Sequence, residues 1–351
     1  MSRRHALQLD TVLFSVYYPA DTSRPPRNAA GEETHPPRVG WLPRPRAQLC
    51  KGYAKFFRIP HFPVTAYIGA TSMLTRVPAF RNARLADGRP APAGDKDGAG
   101  GGDGAGAPTP EGRQSAFPCI VFSHGLGGSR NTYSTVCGEL ASHGFVVVAM
   151  EHRDGSCART FVNLPAADAQ GGDGNSYMVD YYFPKDNAQD TSPNADKGVD
   201  LELRSAQIEM RLAEIDEAIH VLRLVNDGRG AEVARLNLRR KGNVGSSSHG
   251  LDEVEWSEWQ GRLVLEDMTM MGHSFGGSTT IQVLRLADRF SAFGQGILLD
   301  TWGPAISESE KSISKPLLAI TSEAFCHWRQ SKSQSGVVGP LRSRSSAFTV
   351  H

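Results

Sequence analysis

The sequence predicts an α/β fold, a mostly parallel central sheet with helices on both faces, and three observations carry that prediction. First, "FPCIVFSHG" (Phe117–Gly125) and "FVVVAM" (Phe145–Met150) are apolar almost throughout, as strands covered on both faces must be. Second, the segment between them, "NTYSTVCGELASHG", is spaced as a helix and closes on Gly144, a residue suited to the turn after a helix. Third, the alternation returns downstream. "RLVLEDMTM" (Arg262–Met270) ends in strand character, and "STTIQVLRLADRF" spaces Ile281, Val283, Leu284 and Leu286 as a helix would. "GQGILLD" and "KPLLAIT" then read as two more buried strands.

The remaining elements follow in chain order. "TVLFSVYYPA" (Thr11–Ala20) reads as an early strand, broken by a proline-rich run. An aromatic, apolar region reaches Phe80, and its aromatics from Tyr53 to Tyr67 are expected in the core first, with facing lipid or walling an acyl pocket as the alternatives. Residues of about 87–112 are low in complexity, with almost nothing to bury, and are expected as an insertion between elements. Asn163–Asp200 is polar and expected as a long surface excursion. A helix is expected over Leu201–Val225, with Leu203, Ile208, Leu212, Ile215, Ile219 and Leu222 on one face and its charges on a solvated outer face. Asn226–Gly250 is a second polar insertion. With no internal repeat, residues 1–351 are expected to form a single domain carrying three insertions.

Composition narrows the function. Lysine plus arginine (38) nearly balances aspartate plus glutamate (37), so no global field favours nucleic acid. The five cysteines are scattered and lack CxxC spacing, which argues against a disulfide framework or a zinc site and for a reducing, cytoplasmic setting. The first residues are too polar for a secretion signal, and no uninterrupted run of about 20 apolar residues follows. Small-molecule chemistry without metal or cofactor is the expectation.

That chemistry centres on "MMGHSFGGS" (Met270–Ser278). Ser274 has glycines two residues before and after it, at the joint between strand and helix. There the backbone turns so sharply that Cβ atoms at Gly272 and Gly276 would clash, and the turn pushes the serine out at the edge of the sheet. A serine hydroxyl needs a base, an acid to orient the base, and donors for the oxyanion. In the α/β-hydrolase plan the triad comes in the order serine, acid, histidine. Asp300 closes "GILLD" and is the downstream carboxylate that immediately ends a strongly apolar strand. The candidate oxyanion donors are the N–H of Phe275, directly after the serine, and that of Leu126 in the glycine-rich "HGLGG" loop. "EHRDGS" (Glu151–Ser156) is expected as an internal ion-pair network, and Trp302 as a packing residue.

Together, "FSHGLGGSRNTYSTVCGELASHGFVVVAMEHRDGS", "MMGHSFGGSTT" and "GILLDTWGP" resemble the platelet-activating factor acetylhydrolase family of the lipoprotein-associated phospholipase A2 type, in a fungal-looking version. "YYPA", "WLPRP" and "GYAKF" add to the resemblance. It implies an α/β-hydrolase fold and calcium-independent hydrolysis of phospholipids with a short or oxidised sn-2 acyl chain, at a membrane or lipid-particle surface. It also implies Ser274 as nucleophile, Asp300 as triad acid, and Leu126 with Phe275 as oxyanion donors. The family's triad histidine follows one further strand; "SAFTV" fits that strand and makes His351 the base. His327 comes too soon after the preceding strand, and His273 is expected to point away from Ser274 and support the turn. After Phe325 the sequence departs from the family's pattern, and it is read as a divergent or truncated C-terminus. Two alternatives stay open: a carboxylesterase of the same fold acting on soluble esters, and a non-catalytic scaffold that binds lipid or a partner.

Overall fold

Strands that are apolar on both faces have to be covered on both faces, and that requirement organises the architecture. The computed structural model describes residues 11–23, 38–88, 115–164, 176–188, 190–191, 197–238, 250–251, 253–306, 312–326 and 347–350. In chain order the main elements are β1 (Phe14–Tyr17), α1 (Arg46–Phe56), α2 (His61–Thr71), β2 (Phe117–Ser123), α3 (Ser134–Ser142) and β3 (Val146–Met150). There follow β4 (Arg159–Asn163), β5 (Ser176–Asp180), α4 (Leu201–Leu224), β6 (Leu263–His273), α5 (Phe275–Arg285), β7 (Phe293–Leu299), β8 (Leu317–Ser322) and β9 (Ala347–Val350).

Seven of these strands form one sheet in the order β1-β3-β2-β6-β7-β8-β9. Only the β1–β3 pairing is antiparallel; the other five are parallel. Strand periodicity sorts the side chains. Val121, Val148 and Met270 face α4 and α5, whereas Ile120, Phe122, Val147 and Met271 face α3 through Cys137. This is the α/β-hydrolase arrangement, with β6 at the centre of the sheet.

Local signals fix the helix ends. Asp200 caps α4 by accepting the Leu203 N–H at 3.0 Å. Gly144 follows α3 at φ 92°, the left-handed conformation that a Cβ would oppose. Ile208, Leu212, Ile215, Ile219 and Leu222 are buried along α4, as its apolar spacing predicts.

Four expectations need correction. The charges of α4 are not all on a solvated face: Arg204 and Arg211 are fully buried and Glu214 nearly so. They are held by buried partners from other segments, which sequence periodicity does not reveal. The expected surface excursion Asn163–Asp200 is partly internal, because β5 pairs with the buried β4 and Asp190 is buried against Arg204. The expected insertion after Val225 begins as helix, with a π-turn over Val225–Arg229 leading into Gly230–Leu236. Finally, the aromatic stretch divides. Helix α1 buries Leu49, Cys50 and Ala54, but α2 buries none of its residues, and Phe62 and Tyr67 stand 77% and 69% exposed. The low-complexity insertion at about 87–112 lies largely outside the described residues.

Candidate active site

The turn from β6 into α5 is built around a close approach of two backbones. A Cβ on Gly272 would lie 2.1 Å from the Gly276 carbonyl oxygen, and one on Gly276 would lie 2.0 Å from the Ser123 oxygen. Both distances are far inside van der Waals contact, so only glycine fits either position. Between them Ser274 adopts φ 53°, ψ −116°, a strained conformation for a residue with a side chain. Its neighbours hold it there. The Ser274 N–H donates to the Leu299 carbonyl at 2.9 Å, and the Ser274 carbonyl accepts from Trp302 N–H at 3.0 Å and from Gly277 N–H at 2.9 Å. Ser274 is half-buried, with its hydroxyl just ahead of the electropositive end of α5.

The bonds to Leu299 and Trp302 bracket Asp300, which directly follows β7 one strand away at φ 42°. Its carboxylate accepts the Ser322 N–H at 2.6 Å and the Ser322 hydroxyl at 2.9 Å. Ser322 is the last residue of β8 and lies in register with Val350 of β9. The expected strand within "SAFTV" is therefore present, parallel and at the sheet edge. His351, the residue after it, and His327 lie outside the described residues.

The HGLGG loop passes directly over the serine. A Cβ on Gly125 would sit 3.1 Å from Ser274 Cβ. Gly127 takes φ +75° with the Phe56 ring against it, and its N–H donates to the Ser156 carbonyl at 2.7 Å. Leu126 lies between these two glycines, half-buried, and Phe275 is the first residue of α5, fully buried. The structure thus brings Ser274, Asp300, Leu126 and Phe275 to one end of the sheet. His273 turns toward the loop, its Nδ1 2.8 Å from the Tyr133 hydroxyl. Burial lowers its pKa below the ordinary histidine value, and the Asp300 charge opposes that shift. Trp302 is buried edge-on to Phe275, as a packing residue would be.

Beneath the loop lies a polar network of which only the "EHRDGS" part is legible in the sequence. Glu151 pairs with Arg130, Asp154 with Arg211 at 2.8 Å, and Arg153 with Glu214 at 3.1 Å. Ser123 Oγ lies 2.8 Å from His152 Nε2, and His152 Nδ1 lies 2.7 Å from Glu214, an arrangement of serine, histidine and acid that is entirely buried. A signal for its α4 members exists. Arg204, Gln207, Arg211 and Glu214 recur at helical spacing beside the apolar stripe, on the face that packs.

With this geometry in place, comparison with known proteins decides the family. Residues 107–351, more than half of the chain, match the family model described as platelet-activating factor acetylhydrolase, isoform II. The chain belongs to this family. Among its acetylhydrolase relatives, the platelet-activating factor acetylhydrolase of Gallus gallus is 32% identical over 60% of this chain and 44% of its own length. That of Cavia porcellus is 33% identical over 65% and 45%. A putative phospholipase A2 of Schizosaccharomyces pombe is 31% identical over 59% and 46%. The chain therefore spans less than half the length of these relatives. A ferulic acid esterase from Streptomyces cinnamoneus, 18% identical, overlaps 67% of this chain and 49% of its own at a TM-score of 0.34, too loosely to add to the fold assignment.

The network also sets a pH dependence. Burial, aided by the Arg211 charge, lowers the pKa of His124 to about 4, and its Nε2 accepts the His152 N–H at 3.1 Å. A histidine depressed in the folded state binds fewer protons there than in the unfolded chain. Its contribution is therefore complete above about 6.5 and is lost as pH falls toward 4, about 3 kcal/mol in all. Buried His152, also lowered, acts in the same direction. Glu214 opposes them: burial raises it to about 7, so its contribution is present below 4.5 and lost as pH rises through 7. Glu214→Gln removes the opposing group. Between pH 4.5 and 7 the unfolding free energy of this variant should gain roughly 3 kcal/mol more than that of the parent. Denaturant titrations at the two pH values check this, and parallel profiles would contradict it.

Proposed function

We propose that this chain is a serine esterase hydrolysing the short or oxidised sn-2 acyl ester of phospholipids such as 1-alkyl-2-acetylglycerophosphocholine. The observation that carries the reading is Ser274 held at φ 53° in a turn that only glycines permit, with Gly125 of the HGLGG loop directly against it. Membership of the acetylhydrolase family supplies the substrate class.

In this reading Ser274 Oγ attacks the ester carbonyl while His351 takes its proton. The N–H groups of Leu126 and Phe275 hold the oxyanion, and the lysophospholipid leaves with the proton from the histidine. Water, activated by the same histidine, releases the acyl group and restores the serine. Asp300 orients the histidine and stabilises its cation. The placement of Val350 beside Ser322, which binds Asp300, supports His351 as the base, because β9 ends at the end of the sheet where Asp300 stands. The lipid surface would be met at α2, where Phe62 and Tyr67, with Phe57 and Ile59 just before the helix, expose apolar area to solvent. Among the described residues no helix is long and apolar enough to cross a membrane. A cytoplasmic setting is part of the same proposal, supported by Cys50, Cys119, Cys137 and Cys157, which are free and buried.

The test compares a short-sn-2-acyl phosphatidylcholine, its long-chain analogue and a soluble short-chain ester. The expected result is turnover of the short-chain phospholipid, with the long-chain analogue at least roughly 100-fold slower in kcat/KM. Preference for the soluble ester over both lipids would point instead to a general carboxylesterase. Lipid binding without turnover would point to a non-catalytic scaffold.

A further inference from the structure

One guanidinium reaches every segment that surrounds the candidate oxyanion site. Arg211, on α4, is fully buried, and its Nε donates to Asp154 Oδ2 at 2.8 Å. Its Nη1 is shared among the His124 carbonyl at 3.0 Å and the hydroxyls of Ser123 and Thr279, each at 3.3 Å. Its Nη2 donates to the Ser156 hydroxyl at 2.6 Å. Two of these partners lead directly to the proposed donors. The Ser156 carbonyl accepts the Gly127 N–H, fixing the peptide that follows Leu126, and the His124 carbonyl belongs to the peptide that begins the loop. On the other side Thr279 donates to the Phe275 carbonyl at 3.2 Å, and Arg211 Cζ lies 4.3 Å from the centre of the Phe275 ring.

We infer that Arg211 is a positioning residue that sets the distance between the two oxyanion donors by tying the HGLGG loop and the first turn of α5 to one rigid fork. The inference rests on the esterase reading above. Its physical basis is the planarity of the guanidinium. Nε holds Asp154, Nη2 holds Ser156, and Nη1 holds both the His124 carbonyl and Thr279, so a shift of the loop or of the helix turn strains a charge-assisted hydrogen bond. A lysine has the charge but not the fork. An oxyanion is stabilised by donors already in place, so a small loosening lowers the chemical step more than it lowers ground-state binding.

The experiment uses the full chain with Arg211→Lys, and with the milder Thr279→Val and Ser156→Ala in case the buried arginine cannot be replaced without loss of folding. Active sites are counted by titration with a fluorophosphonate, which phosphonylates an activated serine. Then kcat per titrated site and KM are measured on a soluble short-chain ester and its thionoester. Arg211→Lys should lower kcat per titrated site by roughly 100-fold, and the other two by roughly 10-fold, with KM within about 3-fold of the parent. The ratio of ester to thionoester rates should fall in parallel, because sulfur is a poor acceptor and gains little from the donors. If the variants titrate fewer sites while each remaining site keeps the parental kcat and rate ratio, Arg211 only supports the fold and the inference is overturned. If the parent chain neither titrates nor turns over ester, the esterase reading itself fails and takes this inference with it.

Discussion

Ser274→Ala is expected to cost ester turnover on the order of a million-fold, with the thermal melt nearly unchanged. The size of the loss follows from removing the only atom that attacks the carbonyl; what remains is whatever the oxyanion donors and substrate binding contribute over water. The indifference of the melt follows from the surroundings. The side chain is half-buried at an open turn, and alanine inherits the same φ of 53° with the same strain. The glycine contacts that shape the turn stay as they are. Turnover in this variant close to that of the parent would remove Ser274 from the mechanism, however well its turn is formed.

Removing the proposed base is expected to have a comparable effect. His351→Ala should lose turnover by a similar order, because a serine without its histidine is as inert as no serine at all. Asp300→Asn should lose about 10⁴-fold, through the wrong histidine tautomer. The informative comparison is with His273→Ala. That ring is already engaged by the Tyr133 hydroxyl and borders the loop, so its loss is expected to cost far less than that of His351. Measuring kcat for the three variants on one short-chain ester, alongside Ser274→Ala, checks the assignment. A His351→Ala chain within about 10-fold of the parent would show that the proton goes elsewhere.

Much of the sheet and of the serine turn is legible in the sequence. Strands β2 and β3 are buried almost throughout and their sequences are apolar to match, whereas β6 is buried mainly from Met268 onward, β7 alternates, and β8, expected as buried, is half-buried along its whole length. The glycine pair around Ser274 has a steric cause that the 2.0 and 2.1 Å approaches make explicit. The position of Asp300 is legible, as a carboxylate directly after an apolar strand, and the structure sets it between Leu299 and Trp302, both bonded to the Ser274 backbone. The buried side of α4 is not legible. Charged residues on a helix belong in water unless something distant neutralises them, and the partners of Arg211 come from Ser123, His124, Asp154, Ser156 and Thr279, far apart in the chain. The short ladders, such as Ala20–Asp21 with Arg84–Leu85, carry too few residues for a period to register. The exposure of α2 was also hidden, since an apolar helix reads the same whether its cover is protein or something else.

The position of β6 and β9 in the sheet has a consequence for how the protein fails on heating. The strand leading to Ser274 is flanked by β2 and β7, so its amides are among the last to exchange with solvent. Among the described residues β9 pairs on one side only, with β8, and opens at far lower cost. Under the proposed mechanism, in which His351 is the base, fraying of that edge costs activity while the nucleophile turn stays intact, so inactivation should begin several degrees below cooperative unfolding and reverse on cooling.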